Sequence, residues 1–253
     1  MTQTPNSASG LPDQARRGFL ARLGGLAAAG VAGAGFVVHE FAGARPLDQA
    51  VSSKNRWGML IDAEKCATGC TACVEACHTE NGVHQTGRPL TDAQWIRKVH
   101  LRDTQTQKEY RLPMLCQHCE HPPCVDVCPT GASFKRADGI VLVDRHICIG
   151  CRYCMMACPY KARSFVHEPT ENQSVNAPRG KGCVESCTLC VHRVDRGGTP
   201  ACVEACNGEG HEAMIFGDLN DPGSRLSQTL KQVHSRQLRA DLKLNPGVRY
   251  SNF

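Results

Sequence analysis

The sequence is poor in aromatic residues. It has no long basic or acidic run and, beyond residue 45, no apolar stretch long enough to cross a bilayer. Phe, Trp and Tyr make up 5% of the chain, so a purely apolar core would be thin. The excess of 29 basic over 24 acidic side chains is scattered and does not read as a nucleic-acid footprint. A Gly-rich phosphate loop, a nucleophile–base pair and a paired-carboxylate arrangement are all missing, so no site for substrate chemistry is visible. No C-x2-C-H string occurs either. His78 follows Cys77 at C-x3-C-H spacing, which argues against covalently attached haem.

What the chain has instead is cysteine: seventeen residues, sixteen of them in four groups of four. Cys66, Cys70, Cys73 and Cys77 are spaced C-x3-C-x2-C-x3-C. Cys116, Cys119, Cys124 and Cys128 are spaced C-x2-C-x4-C-x3-C-P. Cys148, Cys151, Cys154 and Cys158 are spaced C-x2-C-x2-C-x3-C-P, and Cys187, Cys190, Cys202 and Cys206 are spaced C-x2-C-x11-C-x3-C. Three thiolates on a tight loop grip three corners of an iron–sulfur cube, and a fourth, three residues on, ligates the neighbouring cluster. The third group matches the bacterial ferredoxin run without departure. Zinc also takes four cysteines, but its structural sites space two C-x2-C knuckles a dozen or more residues apart. Disulfides are the other competing reading, and adjacent C-x2-C pairs on one turn are poor disulfide partners. Four groups predict four [4Fe–4S] clusters and a chain that conducts electrons.

Residues 1–15 carry no Lys or Arg, after which Arg16 and Arg17 stand together before Gly18, Phe19 and Leu20. This pair reads as a twin-arginine export signal. A weakly hydrophobic Ala/Gly-rich segment follows from Leu20 to Val38, and Ala42-Gly43-Ala44 offers a small-x-small cleavage site. Residues 1–44 are therefore expected to be a signal peptide, with an uncleaved anchor as the competing reading. The twin-arginine route carries folded proteins, so clusters can be inserted in the reducing cytoplasm before export. The expectation is a periplasmic protein that meets the membrane through partner subunits. Cleavage would remove Arg16, Arg17, Arg22, Asp13 and Glu40 and leave a formal charge of +4. Each oxidised cluster with its four thiolates adds about −2, which brings the loaded protein to about −4.

Residues 45–253 read as one α+β domain. Trp57–Asp62 alternates as a strand, and Thr71–His78 reads as the short helix carrying Cys73 and Cys77. Residues 79–97 read as a polar loop. Lys98–Arg102 and Tyr110–Met114 form a hairpin around a turn at 103–108. A short helix is expected after Pro122-Pro123, strands at Ile140–Asp144 and Ser164–His167, and a loop over 168–182. Asp221 and Pro222 are placed as N-cap and first residue of a helix whose stripe is Leu226, Leu230 and Val233. The tail from Leu242 to Phe253 shows no recognisable chemistry.

The repeat is strand, cysteine loop, short helix, four times. Two-cluster ferredoxins pair such motifs by exchanging fourth ligands. The second and third groups are neighbours in sequence and both end in Cys-Pro, so they are expected to pair. One cluster then sits on Cys116, Cys119, Cys124 and Cys158, and another on Cys148, Cys151, Cys154 and Cys128. The first and fourth groups pair around them. Their clusters use Cys66, Cys70, Cys73 with Cys206, and Cys187, Cys190, Cys202 with Cys77. The inner ferredoxin unit, 116–158, is thus inserted in an outer unit formed by 56–78 and 183–216.

The strings CQHCEHPPCVDVCPTGA at 116–132, CIGCRYCMMACPY at 148–160 and CTLCVHRVDRGGTPACVEAC at 187–206 carry a family likeness. The chain resembles the four-cluster ferredoxin-like subunits of bacterial respiratory oxidoreductases, the iron–sulfur subunit type of dimethyl sulfoxide reductase. Among exported members it looks most like the DsrO-type subunit of the membrane complex linked to dissimilatory sulfite reductase. Subunits of tetrathionate and polysulfide/thiosulfate reductases, nitrite reductase and hydrogenase are similar too. The resemblance implies an electron-transfer subunit without a catalytic site. Its partners would be a quinone-interacting integral membrane subunit and a multihaem cytochrome c or a molybdopterin catalytic subunit. The alternative class, an enzyme with an open-sited cluster, needs a cluster lacking one protein ligand, and only the irregular first group leaves room for it.

Three departures from the family pattern touch the outer unit: the extra residue in Cys66-Ala-Thr-Gly-Cys70, Asn207 where the family has Pro after the last Cys, and the seventeenth cysteine, Cys183, expected to be a buried spare thiol. His118, His121 and His192 lie near cluster loops and are expected to be solvated or locally bonded. Met155 and Met156 are expected to pack around a cluster. Lys161 and Arg163 are placed on an exposed basic face, with stabilisation of cluster charge as the competing role.

Overall fold

The computed structural model describes residues 49–171 and 173–253; Arg16, Arg17, the hydrophobic segment and the cleavage site lie outside the described residues. The strands are β1 (Trp57–Asp62), β2 (Ile96–Arg102), β3 (Glu109–Leu115), β4 (Ser133–Lys135), β5 (Val141–Val143), β6 (Ser164–Phe165), β7 (Val184–Glu185), β8 (Met214–Asp218), β9 (Ser235–Arg236) and β10 (Val248–Ser251). The helices are α1 (Ala72–Asn81), α2 (Pro123–Asp126), α3 (Tyr153–Ala157), α4 (Val191–Val194), α5 (Ala201–Gly208) and α6 (Arg225–Gln232). Among the described residues no helix is long and apolar enough to cross a membrane.

One four-stranded sheet, in the order β8-β1-β10-β9, forms the base on which the cysteine loops stand. β1 pairs antiparallel with β8 and parallel with β10, Met59 lying opposite Phe216 and Val248. The alternation read for β1 gives way to four buried residues in succession, Gly58, Met59, Leu60 and Ile61. A central strand covered on both faces has no solvent side, and α6 packs against β1 and β8. The hairpin β2–β3 occurs as expected, Asp103 Oδ1 holding its turn by accepting from the Gln105 and Thr106 amides at 2.8 and 3.1 Å. Short ladders β4–β5 and β6–β7 return the chain between cysteine groups.

Two further expectations change toward the C-terminal end. The helix expected to start at Pro222 begins at Arg225, because Ser224 Oγ accepts from the Ser227 amide at 3.1 Å and is the true cap. Asp221 instead closes the preceding turn by accepting from the Gly223 amide at 2.8 Å. The expected stripe holds, with Leu226 buried and Leu230 and Val233 half-buried. The C-terminal tail, which shows no chemistry in sequence, supplies β10, and Tyr250 is completely buried.

Apolar side chains and thiols share one core. Met59, Ile61, Trp95, Ile96, Leu112, Leu115, Ile140 and Met214 cluster with Cys73, Cys77, Cys116, Cys119, Cys158, Cys187, Cys202 and Cys206. The scarcity of aromatics is thus offset by cysteine in the interior. Helix α1, which carries Cys77, packs on α5, which carries Cys206, and α2 packs on α3, which carry Cys124 and Cys154 and end just before Cys128 and Cys158.

Candidate metal centres

The structure gathers the sixteen grouped cysteines into four nests, each taking three thiols from one group and one from another. Cys66, Cys70 and Cys73 line one cavity with Cys206. The extra residue in this loop is taken up at Gly69, whose φ of +79° is open to glycine at no steric cost. Lys98 on β2 pins the loop, donating from Nζ to Ala67 O at 2.9 Å and Cys70 O at 2.7 Å. Asn207 keeps its N–H, so α5 continues through Cys206 to Gly208. At Cys158 the following Pro159 holds the residue extended, at φ −74° and ψ 110°, and α3 stops.

Cys187, Cys190 and Cys202 each lie within electrostatic reach of Cys77. Asn81 Nδ2 approaches Cys77 Sγ at 3.7 Å and Cys190 Sγ at 3.9 Å. Cys116, Cys119 and Cys124 line a cavity with Cys158, closed by Pro122, Tyr160 and Arg163. Cys148, Cys151 and Cys154 line the last with Cys128.

The chemistry of this donor set suits an iron–sulfur cube. All seventeen cysteines are free thiols. Burial pushes Cys73 and Cys119 up to about 12, and raises Cys77, Cys116, Cys187 and Cys202 further. Such thiols ionise only when a cationic core arrives to share the charge. Backbone amides point at sulfur: Ser133 N–H donates to Cys128 Sγ at 3.3 Å, Leu189 to Cys187 at 3.4 Å, and Val184 to Cys148 at 3.5 Å. These bonds favour thiolate and tune a bound cluster. Among the described residues no three His, Cys, Asp or Glu side chains close on a point suited to a single ion. A tetrahedral zinc site needs that closure. Three of the nests line cavities instead, and four thiols around a cavity fit a cube.

The nests follow one another in a line. Cys202 lies in electrostatic reach of Cys73, Cys187 of Cys116, and Cys124 of Cys154. The two middle nests are built from buried cysteines only. The end nests reach the surface at Cys66 and Cys70, and at Cys128, Cys148 and the exposed Cys151.

Comparison with known proteins gives the family. Residues 107–219 match the 4Fe-4S dicluster domain family. The chain is 45% identical, over 80% of its length and 86% of the relative, to the Hdr-like menaquinol oxidoreductase iron-sulfur subunit 1 of Archaeoglobus fulgidus. It is 41% identical to a tetrathionate reductase subunit of Salmonella typhimurium, over 87% of this chain and 80% of the relative. It is 40% identical to protein NrfC of Escherichia coli, over 76% and 78% respectively. The chain belongs to the [4Fe–4S] electron-transfer subunits of respiratory oxidoreductases. Four [4Fe–4S] clusters are its cofactors.

Several residues of this iron–sulfur subunit depart from their sequence readings. Arg163, placed on an exposed face, is 5% exposed and donates from Nη2 to Cys124 Sγ at 3.1 Å. Only Lys161 of that pair is exposed. Of the solvated or bonded states read for it, His118 takes the bonded one: it is buried, accepts the Val141 amide at Nδ1 at 3.0 Å, and burial lowers it to about 3. His121 is exposed, and His192 meets Glu80 Oε1 at 2.6 Å. Met155 packs beside the last nest, whereas Met156 is 76% exposed. Cys183 is the expected buried spare thiol, 3.3 Å from Arg145 O and outside the cavities described above. The position of Arg163 five residues past Cys158 does not by itself separate an exposed arginine from one buried between nests. A cleft of about 320 Å³ between 84–93 and 165–171 contains no thiol, and its Arg88 and Glu168 pair with each other at 3.2 Å.

Proposed function

We propose that this chain relays single electrons along four clusters between a quinone-interacting membrane subunit and a second redox subunit, without a catalytic site of its own. The carrying observation is the line of nests, two sealed in the middle and one opening at each end. We assign the ligands as Cys66, Cys70, Cys73 and Cys206; Cys187, Cys190, Cys202 and Cys77; Cys116, Cys119, Cys124 and Cys158; and Cys148, Cys151, Cys154 and Cys128. The pairing of α1 with α5 and of α2 with α3 supports two interleaved two-cluster units within a single domain spanning 45–253. Bound clusters supply one-electron chemistry at these positions. The protein holds them in order, keeps water from the middle pair and presents only the end pair to partners.

A quinol-reacting partner is supported by the Archaeoglobus relative, whose name is that of a menaquinol oxidoreductase subunit. A role in sulfur metabolism is supported by the tetrathionate reductase subunit among the relatives. The second redox subunit would be a molybdopterin catalytic subunit or a multihaem cytochrome c. Export by the twin-arginine pair would place the subunit in the periplasm, held at the membrane by its partners.

Breaking the wire in the middle tests the relay. In membranes containing the whole complex, Cys119→Ser should still let a quinol analogue reduce the clusters on its side. It should slow electron arrival at the far redox partner by at least tenfold. Arrival at the wild-type rate through a protein shown by EPR to lack that cluster would overturn the relay.

A further inference from the structure

A buried arginine stands where the last two nests meet. Arg163 Nη2 donates to Cys124 Sγ of one nest at 3.1 Å and to Ser133 Oγ at 2.8 Å. Cys154 of the next nest and Cys116 are both within electrostatic reach of the guanidinium. Among the described residues no carboxylate lies within ion-pair distance of it, so thiolates are its only counter-charges. Its Nε and Nη1 are buried without a protein acceptor. Donors of a permanent cation are costly to leave unmade in a dry interior, which indicates an acceptor beyond the protein's own atoms on that side. A cluster's sulfide faces meet that need.

We propose that Arg163 sets the reduction potentials of two clusters at once, those on Cys116, Cys119, Cys124, Cys158 and on Cys148, Cys151, Cys154, Cys128. The inference rests on the ligand assignment above. Adding an electron makes a cluster more negative by one charge. A fixed cation with N–H donors aimed at its sulfurs stabilises that reduced form and raises its potential. Because the guanidinium serves both nests, it also weakens the repulsion between two reduced neighbours. That makes it easier for both clusters to hold electrons together.

EPR-monitored redox titration of the intact, iron-quantified protein tests this with R163Q, R163M and R163K. R163Q and R163M should lower the potentials of both named clusters. A tenfold change in each one-electron equilibrium is 59 mV. R163K, which keeps the charge but not the planar fork, should fall between them and wild type. The other two clusters should not move. Fully loaded R163Q with unchanged potentials would overturn the proposal. So would equal shifts at all four clusters, or loss of clusters in both R163Q and R163M, which would assign the arginine to folding alone. Cys116→Ser and Cys148→Ser identify the two signals independently. If they alter other signals, the ligand assignment fails; if they alter these two and R163Q does not, only the role of Arg163 fails.

Discussion

Gln117 donates from Nε2 to the Tyr250 hydroxyl at 3.1 Å, tying the last strand of the chain to the loop that carries Cys116 and Cys119. The same hydroxyl donates to Pro113 O at 3.2 Å, at the end of the β2–β3 hairpin. Gly247 adds a backbone link, its amide donating to Gln117 O at 2.8 Å. The C-terminus is therefore part of the scaffold of a middle nest.

Tyr250→Phe should keep the packing and lose both bonds, leaving Pro113 O without this buried donor. The expected loss is about 1–3 kcal/mol. It is read as a lower urea midpoint for the cluster-loaded protein under anaerobic conditions. An unchanged midpoint would show that the tail is dispensable to the fold.

Arg179 and Glu185 form a buried ion pair, with Nη2 to Oε1 at 2.6 Å and Nε to Oε2 at 3.0 Å, and Arg179 Nη1 also donates to Gly82 O at 2.9 Å. Glu185 is fully buried. Arg179→Met strands that carboxylate and should cost about 3–5 kcal/mol, whereas Arg179→Met with Glu185→Leu should recover most of the loss. Equal midpoints for the single and double variants would contradict the pairing.

If fourth ligands cross between groups, Cys158→Ser should damage the cluster held by Cys116, Cys119 and Cys124. The cluster on Cys148, Cys151, Cys154 and Cys128 should stay intact. Serine is a harder, poorer ligand than thiolate, so the affected cluster should lose iron or shift in potential. The comparison is EPR-monitored titration beside Cys116→Ser and Cys148→Ser. A Cys158→Ser spectrum resembling that of Cys148→Ser would mean that each group binds its own cluster.

Cysteine spacing made the cofactors legible from residue order alone, because four groups of closely spaced thiols suit iron–sulfur cubes. The hairpin β2–β3 was legible because its turn carries Asp103, which accepts from two amides of the turn. Arg163 was not, since one arginine in sequence looks alike whether it faces water or a pair of nests. β10 was missed because Val248–Ser251 is only four residues long and finds its partner almost two hundred residues earlier, at β1. The start of α6 moved because Asp221 and Ser224 both suit a cap, and only the Ser224 hydroxyl reaches the free amide.

Changing Arg16 and Arg17 to Lys should leave a folded, cluster-loaded precursor in the cytoplasm, since the export route reads the arginine pair. Fractionation followed by iron analysis of each compartment checks this. Normal accumulation in the periplasm would remove the twin-arginine assignment.

The most direct test of the wire is anaerobic iron and sulfide analysis combined with a reductive titration of the purified chain. Four cubes require about sixteen iron and sixteen sulfide per chain and an uptake of about four electrons, one for each cluster. Zinc in place of iron, or an uptake of only about two electrons by fully loaded protein, would contradict a relay built on four one-electron centres.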